Sequence, residues 1–178
     1  MSSRNEELYR NRLAKVAGLR RRGIDPYPAR CRCDDSTADA LTLYGRIERG
    51  EAASDRRVSV CGRIKLMREM GKKVRFIDLH DAGGRLQVYC RQDVLGDDGY
   101  AVVRELDLGD FVGVEGPLFR TKTGEITLEA RRVSVLGKAL QPPPEKWHGV
   151  ADVELRYRQR YLDLMANDAV RRRFIQRS

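Results

Sequence analysis

Three side chains in two short alternating segments carry the most distinctive chemistry in this sequence. The segments VRFIDLHD and RLQVYC, at residues 74–81 and 85–90, alternate with a period of two, as half-buried strands do. In the first, Ile77 and Leu79 share one parity while Phe76, Asp78 and His80 share the other; in the second, Leu86, Val88 and Cys90 point inward and Arg85, Gln87 and Tyr89 outward. A sheet face that shows Phe76, Arg85 and Gln87 has the components for holding unpaired bases. An aromatic ring stacks on a base for about 1–3 kcal/mol, an amide hydrogen-bonds its edge, and a cation holds a phosphate. Parity alone leaves a second reading open at each position: Phe76 covered by a helix or loop, and Gln87 as an ordinary solvent-facing polar residue. Glu125 shares the outward parity of Thr127 and reads as a turn acid unless a base donates hydrogen bonds to it.

No other constellation points to catalysis. The sequence has no phosphate-binding loop of the P-loop type, no nucleophile elbow and no His/Glu metal pair on a helix. The cysteines are Cys31, Cys33, Cys61 and Cys90; Cys-x-Cys is too short for a zinc knuckle, and His80 and His148 stand at no ligand spacing from it. Free thiols in a reducing compartment are expected. No run of about 18 apolar residues is present, and MSSRNEELYRNR carries Glu6 and Glu7 where a secretory or transit leader would be apolar or acid-poor. The chain is expected to be cytoplasmic, with no membrane partner.

The 178 residues carry a net charge of +9, unevenly placed. Residues 1–22 hold 7 basic and 2 acidic groups, residues 23–144 hold 20 and 19, and residues 145–178 hold 8 and 5. A near-neutral centre between basic arms suits a domain that meets a polyanion, although a solvated arginine-rich surface has the same composition.

The elements that must position these groups follow from period and punctuation. Ser3 with Glu6 is a capping-box pattern opening a helix over about 4–22, on which Tyr9, Leu13 and Val16 form an apolar stripe and Gly23 the stop. At 100° per residue, Arg4, Lys15 and Arg22 fall within about 20° of one another, a cationic edge for a nucleic-acid backbone or a solvated face. Ser36 with Asp39 caps a second helix to about Tyr44. RVSVCGRIKL follows as a strand with Val58, Val60, Ile64 and Leu66 on one face. The two segments already described come next, then a helical stretch from Asp93 to Leu108 ended by Gly109. DFVGVEGPLF and EITLEARRVSVL are the last strands, joined by the glycine-ended turn TKTG, with a bulge expected at Arg131–Arg132. Three strands, a helix and two strands is the order of the five-stranded OB barrel, a Greek-key fold whose middle strands bind oligonucleotides. QPPPEKW reads as a stiff linker. ELRYRQRYLDLM is helical with Leu155, Tyr157, Tyr161, Leu162 and Met165 as packing residues, and Asn167 and Asp168 break it before a helix that is cut in mid-pattern, as in a fragment. The expected organisation is a helical extension over 1–52, the barrel over 53–140, a linker and helix over 141–168, and a truncated start of a further domain over 169–178.

The ordered set RRRGIDPYP, VCGRIKLMREMGKK, FIDLHDAGGRLQVY, LDLGDFVGVEGPLFRTKTGEITL, ALQPPPEKWHGVADVELRYRQRYLDLMAN and VRRRFIQRS resembles the amino-terminal part of class II lysyl-tRNA synthetases. Aspartyl- and asparaginyl-tRNA synthetases share the barrel, but TKTGE together with RYRQRYLDL favours the lysine family. The resemblance implies that Phe76 stacks on the central anticodon uridine, that Gln87 reads it, that Arg68 lies beside it and that Glu125 belongs to the TKTGE turn of the same site. GKKVRF carries one residue more than the family spacing, so Arg75 is expected as an insertion or bulge. The motif 1 helix begins near Val170 and stops at Ser178, and motifs 2 and 3 are absent. The resemblance therefore implies no cofactor in this chain, with ATP, Mg2+ and lysine bound elsewhere in a longer, homodimeric parent whose RNA partner is tRNA(Lys). A stand-alone OB module for single-stranded nucleic acid, or a purely structural domain, are the rival readings.

Overall fold

Alternation in the sequence becomes a closed barrel because each strand has one apolar edge to bury. The computed structural model describes residues 3–141 and 153–178, without the side chains of Ser3, Arg4 and Leu155. The pairing of Ser3 with Glu6, the proline tract from Pro142 and His148 lie outside what is described. The chain divides into two compact units, Met1–Gln141 and Pro142–Ser178.

In the first unit, α1 (Ser3–Arg21) and α2 (Thr37–Glu48) precede β1 (Arg57–Glu69), β2 (Val74–His80) and β3 (Arg85–Arg91). Helix α3 (Gln92–Arg104) then leads to β4 (Phe111–Arg120), β5 (Ile126–Glu129) and β6 (Arg132–Gly137). β1, β2 and β3 form an antiparallel meander; β5 runs parallel to β3 and antiparallel to β4, and β4 pairs back onto β1 to close the ring. The expected last strand is present as β5 and β6, both antiparallel to β4. From the pair Leu118↔Leu128 to the pair Glu115↔Arg132, β4 moves three residues while its partner moves four, which places the expected bulge at residues 129–132. Gly116 lies under this bend: a Cβ there would stand 1.9 Å from the Glu129 carbonyl oxygen, so no larger residue fits.

The core is the inward parity of the strands. Val58, Val60, Ile64, Ile77, Leu79, Leu86, Val88, Cys90, Val112, Val114 and Leu128 are all buried, with Val103 and Leu106 from α3 and its exit closing one end. One expectation fails in β1. The register shifts between Ile64 and Leu66, where Ile64 faces Leu79 and Leu66 faces Asp78, so Lys65 is the extra residue. Parity inverts beyond it: Met67 packs against the core, and Leu66 joins the outer face. Of the two expectations at Arg75, the bulge is absent, since β2 keeps unbroken register with β3 from Val74↔Arg91 to His80↔Arg85.

The helices begin as their caps dictate. Ser36 and Asp39 form a reciprocal capping box, and α2 continues to Glu48, four residues past the expected end. α1 ends in a Schellman arrangement: Gly23 at φ 73° lets Ile24 N–H reach the Leu19 carbonyl at 3.0 Å and Gly23 N–H reach Arg20. The inward face of α1 differs from the expected stripe. Tyr9 and Leu13 are 38% and 39% exposed, whereas Arg12, Val16 and Leu19 are buried. Arg12 hid this face in the sequence; its guanidinium donates to the carbonyls of Ala139 and Gln141, which makes a charged residue an inward one.

In the second unit, α4 (Val153–Arg158) and α5 (Arg160–Ala166) replace the continuous helix expected before Asn167, and α6 (Asp168–Arg177) is the helix expected after it. Asn167 caps α6 by accepting from Val170 N–H. Tyr157 and Tyr161 are exposed rather than packed. Among the described residues of this unit the buried side chain is Asp163, held by Arg156 at 3.2 Å and Arg160 at 3.0 Å. Among the described residues no helix is long and apolar enough to cross a membrane.

A buried ion cluster joins α1 to the barrel. The Lys138 ammonium, following β6, donates to Asp110, to Asp107 at 2.7 Å and to the Glu105 carbonyl at 2.6 Å, and Lys15 of α1 reaches Asp107 from the other side at 2.6 Å. Burial alone would raise the Asp107 pKa, but hydrogen bonds from Lys138 and Lys15 outweigh it and hold the carboxyl below its ordinary range. A depressed carboxyl pKa contributes stability above the unfolded value and loses it as the pH falls through the folded one. Lys15→Met should therefore lower stability by about 1–2 kcal/mol at pH 6, and the gap from wild type should close as the pH falls below about 4, measured by urea unfolding across that range.

Candidate nucleic-acid interface

Register across β1, β2, β3, β5 and β4 turns the outward parity into two rows of side chains. One row runs Arg68, Phe76, Tyr89 and Glu129, each opposite the next. The neighbouring row runs Leu66, Asp78, Gln87, Thr127 and Phe119. The bulge at Lys65 is what puts Arg68 in the first row; without it Arg68 would point into the barrel.

Phe76 is half-buried by Tyr89, whose ring stacks on it at 4.6 Å between centroids and 24° between planes. Tyr89 in turn meets Phe119 at 5.9 Å. The rings form an aromatic ladder across three strands, a broader stacking platform than Phe76 alone. Tyr89 was visible as an outward residue, but its contact with Phe119 depends on the parallel pairing of β3 with β5, for which no local signal exists.

Gln87 lies on the outward face, yet only 7% of it is exposed. Its Oε1 accepts from the Thr127 hydroxyl at 2.9 Å, and Thr127 is fully buried. In this arrangement the amide Nε2 is the group left to donate, suited to a base carbonyl. Arg85 sits at the end of the same face. It pairs with Asp78 at 3.1 Å and with Glu125 at 3.1 Å, so one guanidinium is shared by two carboxylates and offsets half of the negative charge that would repel a polyanion. Glu125 itself is fixed by the TKTG turn, where its backbone N–H donates to the Thr121 hydroxyl and Gly124 takes φ 88°. Arg68 is exposed and has no ion-pair partner among the described residues.

The structure thus brings Arg68, Phe76 and Gln87 together on one face, with Glu125 at its margin through Arg85. It does not gather the α1 cations in the same way. Lys15 is engaged by Asp107, Arg22 donates to the Asp98 carbonyl at 3.1 Å, and the Arg4 side chain is outside the described residues. Among the described residues no group of three or more His, Cys, Asp or Glu is arranged to hold a metal ion.

The closed barrel is the fold of an OB domain, and residues 58–136 match the model of the tRNA anticodon family, described as an OB-fold nucleic acid binding domain. The whole chain is similar to lysine–tRNA ligases. It is 44% identical to the lysine–tRNA ligase of Dehalococcoides mccartyi over 97% of its own length, and 43% identical to those of Carboxydothermus hydrogenoformans and Bacillus cereus over 97% and 94%. It spans about a third of the length of these relatives, 34% in each case.

Thr127→Val keeps the shape of the site but removes the donor to Gln87. The buried Oε1 then lacks a partner, and stability should fall by about 1–3 kcal/mol in urea unfolding, with the barrel still closed by circular dichroism.

Proposed function

We propose that this chain is the anticodon-binding part of a class II lysine–tRNA ligase, and that the outer face of β1, β2 and β3 reads the anticodon of tRNA(Lys). The observation that supports this most directly is the alignment in one register of Arg68, Phe76 and Tyr89, with Gln87 in the adjoining row. Phe76, backed by Tyr89, stacks on the central uridine. Gln87 donates from Nε2 to a carbonyl of that base, Arg68 holds the base or its phosphate from the β1 side, and Glu125 exchanges Arg85 for a base donor at the rim. The likeness to lysine–tRNA ligases supports the amino acid assignment. In the full enzyme, acting in the cytoplasm as a homodimer, ATP, Mg2+ and lysine bind in the two thirds of the relatives' length that this chain does not span. The 178 residues alone should therefore give no lysine-dependent ATP–pyrophosphate exchange above a protein-free blank.

Stacking and edge recognition separate by mutation. Phe76→Ala should weaken binding of anticodon stem-loops by about 1–3 kcal/mol whichever base is central, leaving discrimination intact. Gln87→Ala should weaken the stem-loop with central uridine and hardly affect the other three, so that selectivity collapses. Titrating wild type and both variants with all four stem-loops, with circular dichroism as the control for folding, decides the matter. Equal losses for all four bases in Gln87→Ala, or none in Phe76→Ala, would remove this face as the reading surface.

A further inference from the structure

Three of the four cysteines lie on two adjoining segments away from the aromatic ladder. Cys31 and Cys33 are exposed on the strap between α1 and α2, and Cys61 is half-buried on β1. The strap is held against β1 by its backbone: Asp34 and Asp35 N–H donate to the Ser59 carbonyl at 3.1 and 3.0 Å, and Ser59 N–H returns a bond to the Asp35 carboxylate at 2.9 Å. The Arg32 carbonyl, between the two strap cysteines, accepts from the Cys61 thiol at 3.3 Å and from the Ser59 hydroxyl at 3.4 Å. The Cys33 thiol donates to the Asp35 carbonyl at 3.8 Å, and Asp35 bridges to Val60, the residue before Cys61. Burial, and then the nearby strap cysteines, push the Cys61 pKa up, so it is held as a thiol rather than a thiolate. Cys90 is buried in the barrel core and takes no part. Exposed thiols on the strap beside a half-buried thiol on β1 are placed for sulfur–sulfur exchange.

We propose that Cys33 and Cys61 form a reversible disulfide by exchange with low-molecular-weight disulfides of the glutathione class, covalently fastening the strap to β1. The exposed Cys33 sulfur, as thiolate, attacks one sulfur of the small disulfide; that S–S bond breaks, one small thiol leaves, and Cys33 carries the other half as a mixed disulfide. Cys61 sulfur then attacks the Cys33 sulfur, the mixed disulfide breaks, and the second small thiol leaves with the proton Cys61 gives up. Two protein thiols are oxidised and one small disulfide is reduced to two thiols. The held proton makes the second step the slower one below the Cys61 pKa. An exposed bond of this kind is the labile sort, readily reopened by excess small thiol.

The test uses the full 178-residue chain and oxidised glutathione, with free thiols then alkylated and the product mapped by peptide mass. The expected product is a monomer lighter by two hydrogens, with a Cys33–Cys61 cross-linked peptide that dithiothreitol releases. Trypsin cleavage after Arg32 should slow by about tenfold or more, because the strap can no longer open locally. Cys61→Ser should instead stop at glutathione adducts on the strap, with trypsin sensitivity retained. If Cys61→Ser does not fold, the Cys31→Ser/Cys33→Ser pair in the exposed strap must leave Cys61 uncross-linked under the same treatment. Adducts on Cys31 or Cys33 with Cys61 still alkylatable in the wild type would overturn the proposal, as would a Cys31–Cys33, Cys31–Cys61 or interchain bond in place of Cys33–Cys61.

Discussion

The Lys138 ammonium is fully buried between Asp107 and Asp110, and the seating of α1 against the barrel depends on that charge being matched. Moving such an ion out of water costs several kcal/mol unless partners and hydrogen bonds surround it. Here they come from three parts of the chain: the α3–β4 connection supplies both carboxylates and the Glu105 carbonyl, the end of β6 supplies the cation, and α1 supplies Lys15. Asp110 also accepts from the backbone of Asp107 and Ala139, so the same carboxylate shapes the turn into β4 and the exit from β6. These contacts fasten the barrel at the side where β6 lies along β4. They leave the outer face of β2 and β3 uncovered by α1.

Uncovering that face would achieve little if its register were loose. Phe76 and Tyr89 stack because β2 and β3 pair without slip, and Arg68 stands opposite Phe76 because β1 slips once, at Lys65. A single residue more or fewer in β1 would turn Arg68 inward. Gly62 allows the close approach that precedes the slip: a Cβ there would lie 2.6 Å from the His80 carbonyl oxygen.

Much of this was legible because strands declare themselves by parity. The inward sets of β2, β3 and β4, the caps of α2 and the bulge after β5 all follow from spacing alone, as does the outward placement of Phe76 and Gln87. What escaped was whatever depends on partners remote in the chain. Arg12 and Lys15 read as surface charges because nothing near them announces the carbonyls at 139 and 141 or the carboxylate at 107. Lys65 read as an ordinary outward residue since a bulge without glycine has no local mark. The burial of Gln87 was hidden because Thr127, its hydrogen-bond partner, is forty residues away.

The bond from Arg85 to both Asp78 and Glu125 has a thermodynamic corollary. Cations condense on an RNA backbone and are released where protein cations neutralise its phosphates; an arginine already paired with carboxylates neutralises less, so in the proposed interface fewer ions would be released than the number of arginines suggests. Affinity at this face then rests more on desolvated ring contacts and less on the entropy of released salt. If this face reads bases as proposed, the part of its affinity carried by Arg85 would fall less steeply with ionic strength than the part carried by the unpaired Arg68.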